Sequence, residues 1–235
     1  MFGQIPPTEF DLRFSILGIP VRVHPVFWLT SAFLAWGGSD ADLKRIFVRV
    51  LCIFLAILVH ELGHAVVTRR FGWNSEVVLY FFGGYATSMR HTTWKDIAVS
   101  AAGPGAGFVL FFAFWYLKQQ VWSGKLTVND LVADAILFSL FINFVWNVAN
   151  LIPVLPLDGG QISRELCCWL SPRRGMGISL MISMIISGAV ALWSFRAKAN
   201  GESVLGLDPL FLGIMFAYLC YQSYQSYETS RRGPW

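Results

Sequence analysis

Residues 46–64 read IFVRVLCIFLAILVHELGH, an apolar run that closes on His60-Glu61-Leu62-Gly63-His64. A helix that spans a bilayer excludes ionisable side chains unless they have a function and a partner. H-E-x-x-H on a helix sets two imidazoles four residues apart on one face, which suits a zinc ion. The intervening Glu is then placed to take a proton from the attacking water. With 4 histidines in the chain and few glutamates, chance supplies about 0.002 such motifs. At membrane depth, the motif predicts an intramembrane metalloprotease.

The composition points the same way. Apolar residues make up 55% of the 235, only 14% are charged, and the mean hydropathy is +0.55. A soluble domain with so few charges would be unusual. Spans of about 20 residues each would consume most of the length, which predicts one membrane-embedded peptidase domain over residues 1–235. The N-terminal MFGQIPPTEFDLRF has prolines and acids but no basic region before an apolar core, so no cleavable signal peptide is expected. The net charge of +4 is better explained by basic residues at span ends than by nucleic acid, and no nucleic-acid partner is expected. Cys52, Cys167, Cys168 and Cys220 lack CxxC spacing and read as small buried hydrophobes.

Six apolar segments, at about 23–37, 46–67, 97–117, 135–156, 177–195 and 209–223, predict an α-helical polytopic membrane protein. The first and last are short for spans. With six crossings, 11 Lys and Arg fall on the side of the termini and the 68–96 and 157–176 loops, and 7 on the other. That bias predicts a multi-pass protein of the cell membrane with both termini and the active-site side cytoplasmic. Within the 68–96 loop, Val77–Phe82 is rich in strand formers, Gly83-Gly84 is a turn signal, and 85–89 forms a return strand. The predicted feature is a small membrane-associated β-hairpin. Its edge, with Gly83 and Gly84, is a candidate to receive an extended substrate by strand addition. Proline at Leu79 or Tyr85 is then expected to slow cleavage.

Catalytic zinc wants three protein ligands. The segment Asn150-Leu-Ile-Pro153-Val-Leu-Pro156-Leu-Asp158-Gly159-Gly160 supplies the third candidate, Asp158, where two prolines and two glycines interrupt an apolar helix. Taken alone, an Asp before Gly-Gly is a turn residue; beside HELGH it reads as a ligand. Ser139, Asn143, Asn147 and Asn150 form a polar stripe on the fourth apolar segment, facing protein or water rather than lipid. Ser139 and Asn143 suit structural hydrogen bonds, and Asn147 and Asn150 are the candidates for substrate contact. Gly103-Pro104-Gly105-Ala106-Gly107 repeats small residues at a spacing of four, as close helix approach requires. His24 and His91 read as interfacial or solvated, and Asp40, Asp42, Asp130 and Asp134 as solvated loop or cap residues.

HELGH at 60–64, the Asn150…Pro153…Pro156-Leu157-Asp158-Gly159 segment and the spacing between them resemble the site-2 protease family of intramembrane zinc metalloproteases. Gly103–Gly107 is similar to that family's glycine-led motif. The resemblance covers residues 46–165 and implies a three-helix catalytic core flanked by 23–37, 177–195 and 209–223. It implies that His60, His64 and Asp158 bind one Zn2+ per chain, that Glu61 activates water, and that Asn150 helps place the scissile peptide. The implied substrate is a membrane protein with a transmembrane segment. No loop is long enough for a separate recognition domain, so substrate choice is expected from the membrane segments, the hairpin or a partner, such as a regulatory membrane protein or a second copy. The rivals are a metal transporter, against which no internal repeat is visible, and a catalytically inactive membrane scaffold, which leaves the intact Glu61 unexplained.

Overall fold

The computed structural model describes residues 6–36, 42–81, 83–86, 92–204 and 206–232. They fall into two compact units, one of 1–90 with 102–147 and one of 91–101 with 148–235.

The first unit opens with a hairpin of β1 (Leu12–Ile16) and β2 (Ile19–Val23). Ile16 pairs with Ile19, so Leu17-Gly18 is a two-residue turn, and both residues take positive φ (52° and 73°). That conformation matches the right-handed twist of the flanking strands. β2 buries alternate residues Ile19, Val21 and Val23, as one covered sheet face requires. Asp11 braces the hairpin, accepting from Thr8 N–H at 3.0 Å and from Arg22 at 3.0 Å. Burial pushes its carboxyl up, but these bonds and the Arg22 charge win, holding it at about 2, below its ordinary 3.8.

α1 (Pro25–Ala35) follows, capped by His24, whose Nδ1 accepts from Val26 N–H at 3.2 Å. His24 is thus a structural cap, packed edge-on against the Tyr80 ring. α2 (Leu43–Arg70) starts at an Asp42 cap and runs 28 residues. Arg69 at its far end donates to the Gly18 carbonyl at 2.6 Å, tying the helix to the β1–β2 turn. β3 (Val77–Tyr80) then pairs parallel to β2, and β4 (Gly83–Ala86) pairs antiparallel to β3. The α1–α2 crossover makes the parallel pairing possible. The predicted hairpin is therefore the second half of a four-stranded sheet of order β1-β2-β3-β4; residues 87–89 lie outside the described residues. β3 is interior, with Val77, Val78 and Leu79 fully buried and the Leu79 carbonyl accepting from His24 N–H. β4 is the outer strand.

α3 (Thr93–Trp122), from Ala102 on, and α4 (Asp130–Asn150), up to Asn147, complete this unit. Asp134 is not a solvated cap. Its carboxylate takes two bonds from Arg49 of α2, at 2.7 and 3.0 Å, and the guanidinium lies over the Phe138 ring. A charge that enters an apolar layer needs such a partner.

The second unit contains α5 (Asp158–Leu170), α6 (Gly175–Ala199) and α7 (Pro209–Arg232). The stretch read from sequence as a 157–176 loop thus holds a helix. α6 presents buried Ser179, Ser183, Ser187 and Ser194, small enough to pack closely on α7. Among the described residues, α2, α3, α4 and α6 are long and apolar enough to cross a membrane, against six spans expected. The 11 residues of α1 cover about 16 Å of a hydrocarbon layer of about 30 Å. α7 has the length, but Gln222, Gln225, Glu228 and Arg231 make its second half polar.

Candidate metal centre

His60, Glu61 and His64 stand in the second half of α2 and are 2%, 5% and 8% exposed, which removes any reading of them as solvated surface residues. The helix places the two imidazoles one turn apart, with His60 Nε2 and His64 Nε2 separated by 3.2 Å. Two bonds of 2.0–2.1 Å to a tetrahedral zinc would set their nitrogens about 3.3 Å apart. The pair fits that edge.

The tautomer is set from α4. Asn147 donates through its amide nitrogen to the Asn143 backbone carbonyl, a group that only accepts. Its Oδ1 is thereby turned to His60 Nδ1, at 2.9 Å. An amide oxygen accepts, so His60 donates from Nδ1 and keeps the Nε2 lone pair for a metal. A metal-binding histidine held by a hydrogen bond from its other ring nitrogen is the usual arrangement.

α3 makes room for both side chains. A Cβ on Gly103 would overlap the His64 ring, one on Gly107 would overlap the Asn147 amide, and one on Gly63 would strike Ala102 and Ala106. The small-residue spacing read from sequence as helix packing thus has a sharper purpose: two of its glycines clear space for polar side chains of the site. The four-residue step of Gly103 and Gly107 matches that of His60 and His64, a signal that was available in the sequence.

Asp158 is the first residue of α5, and Asn150 the last of α4. His60 and His64 each offer a ring nitrogen as a possible metal ligand, and Asp158 a carboxylate oxygen. Gly83 and Gly84 begin the outer strand β4. His91 and Asp40 lie outside the described residues.

The model of peptidase family M50 matches residues 48–126 and 117–192, well over half of the sequence and including HELGH and Asp158. The chain belongs to peptidase family M50. A zinc metalloprotease of Methanocaldococcus jannaschii is 30% identical over 189 residues, covering 78% of this M50 chain and 52% of that protein. Stage IV sporulation protein FB of Bacillus subtilis is 27% identical over 221 residues, covering 89% of the chain and 67% of that protein. A Synechocystis relative, 29% identical, is spanned over 57% of its length. The M50 chain thus spans little more than half of two of these three relatives. The solved site-2 protease of Methanocaldococcus jannaschii shares the fold, with a TM-score of 0.60 at 23% identity, over 93% of this chain and 95% of that one. The resemblance to the site-2 protease family is borne out, and with it the expectation of zinc as cofactor.

Proposed function

We propose that this M50 chain is an intramembrane zinc endopeptidase. It hydrolyses peptide bonds in or near transmembrane segments of other membrane proteins, as regulated intramembrane proteolysis requires, and acts as a single membrane-embedded domain. The observation that carries the reading is the buried His60–Glu61–His64 set on an apolar 28-residue helix, with His60 held by Asn147.

In this reading His60, His64 and Asp158 hold one zinc. The metal supplies a Lewis acid that lets water act as a nucleophile near neutral pH. Glu61, beside His60 on α2, takes the proton of the attacking water and delivers it to the leaving amine. Asn150 holds the scissile carbonyl and donates to the oxygen as charge develops there. Asn147 keeps His60 in its metal-binding tautomer. The polypeptide to be cut must first unwind, because a helix in lipid has its amides bonded internally. Outer strand β4 offers the opened segment a backbone to pair with. Interior β3 cannot, and proline at Leu79 would break the sheet rather than test the edge.

On the six crossings expected from sequence, the excess of Lys and Arg on the side of the 68–96 and 157–176 stretches supports a cytoplasmic active site. The reading is tested with the purified chain in liposomes and a tagged single-span protein. Cleavage that stops with a zinc chelator and returns with zinc supports it; cleavage indifferent to chelation overturns it.

A further inference from the structure

The segment between α4 and α5 presents Asp158, and it is short of hydrogen-bond donors because Pro153 and Pro156 have none. Some of its bonds are internal: Val154 N–H to Ile152 O at 2.7 Å and Leu157 N–H to Val154 O at 2.8 Å. α5 is pressed onto it, since a Cβ on Gly159 or Gly160 would overlap backbone atoms of Leu151 or of Val154 and Leu155. One donor of the segment reaches outward. Leu155 N–H donates to Ser183 Oγ of α6 at 2.9 Å.

Ser183 is 0% exposed, and its hydroxyl also lies 2.7 Å from Ser223 Oγ of α7, itself 2% exposed. A hydroxyl has one proton and two lone pairs. Ser183 therefore accepts from Leu155 and still exchanges a bond with Ser223. Ser187, one turn on and equally buried, bonds among the described residues within its own helix, to the Ser183 and Met184 carbonyls. The two serines differ in what they hold.

We propose that Ser183, backed by Ser223, is a positioning residue for Asp158. It touches neither substrate nor metal; it fixes the short segment from which that carboxylate projects, and through it the grip on zinc. The proposal rests on Asp158 being the third zinc ligand. A neighbour that orients a ligand is commonly worth 10–100-fold in metal affinity. Without the Ser183 hydroxyl the half-buried Leu155 N–H loses its partner, and the segment must shift to satisfy it.

The test is chelator competition for zinc on the purified full chain in detergent, comparing wild type with Ser183→Ala, Ser223→Ala, Ser187→Ala and Asp158→Ala. The visible absorption of the cobalt-substituted proteins is read in parallel. Ser183→Ala is expected to bind zinc about 10–100-fold more weakly with an altered cobalt spectrum, Ser223→Ala to show a smaller loss, and Ser187→Ala to match wild type. Wild-type affinity and spectrum in Ser183→Ala, with binding lost in Asp158→Ala, overturn the proposal and leave the ligand assignment standing. An equal loss in Ser187→Ala also overturns it, because packing alone would then explain the effect. Wild-type binding in Asp158→Ala overturns the ligand assignment itself. Should Ser183→Ala fail to fold, Ser183→Cys keeps a weaker acceptor in place and is held to the same comparison.

Discussion

His60 Nδ1 and Asn147 Oδ1 lie 2.9 Å apart, joining α2 to α4 beside the candidate metal ligands. The bond is directional because Asn147 spends its donor on the Asn143 carbonyl. It makes Asn147 a candidate to orient His60, beside the substrate contact that the sequence offered for it.

The two roles separate in kinetics. Asn147→Ala is expected to weaken zinc binding about 10–100-fold with little change in KM once zinc is saturating. A raised KM with unchanged zinc affinity would return Asn147 to substrate binding. Zinc titration and steady-state cleavage on the same preparation decide it.

Gly103 and Gly105 form a matched pair on α3. A Cβ at Gly103 meets the His64 ring, whereas one at Gly105 meets nothing within 4 Å among the described residues. Gly103→Ala is expected to lower cleavage by about 100-fold, the order of cost of a ligand misplaced by about 1 Å. Gly105→Ala should leave activity unchanged and stabilise the helix by about 0.5–1 kcal/mol. Rates and thermal melts of both variants check this.

The candidate ligands stood out in the sequence because their signals are local. His60 and His64 are one helical turn apart, and Asp158 announces itself by the prolines and glycines around it. What stayed hidden depends on distant partners. The β2–β3 pairing joins Val21 to Val77 across two helices, and no short-range pattern encodes it. The β1–β2 turn rests on Leu17 at positive φ, a poor residue for that region, so its signal is weak. Arg49 and Asp134 look like independent end charges until α2 and α4 are side by side. α5 was concealed by its own start, since Asp158-Gly159-Gly160 reads as a turn, while the glycines serve close packing on the preceding backbone.

Strand addition at β4 has its own test. Successive residues of a strand point their N–H groups to opposite sides, so proline at Gly84 and at Tyr85 removes an outward donor in one case and a β3-facing donor in the other. One variant is expected to fold and bind zinc normally yet cut several-fold more slowly. A substrate carrying Gly or Asn near the cut should be processed faster than a uniformly helix-favouring one. Equal rates for the two substrates would show that unwinding is not limiting, and unaffected rates in both proline variants would remove β4 from substrate handling.

The most direct measurement is made on Glu61→Gln, with zinc per chain and cleavage of a tagged single-span substrate read from the same sample. Glu61 is assigned as a base and not as a ligand, so the variant is expected to hold one zinc per chain and to show no cleavage. Full cleavage by Glu61→Gln would contradict the account.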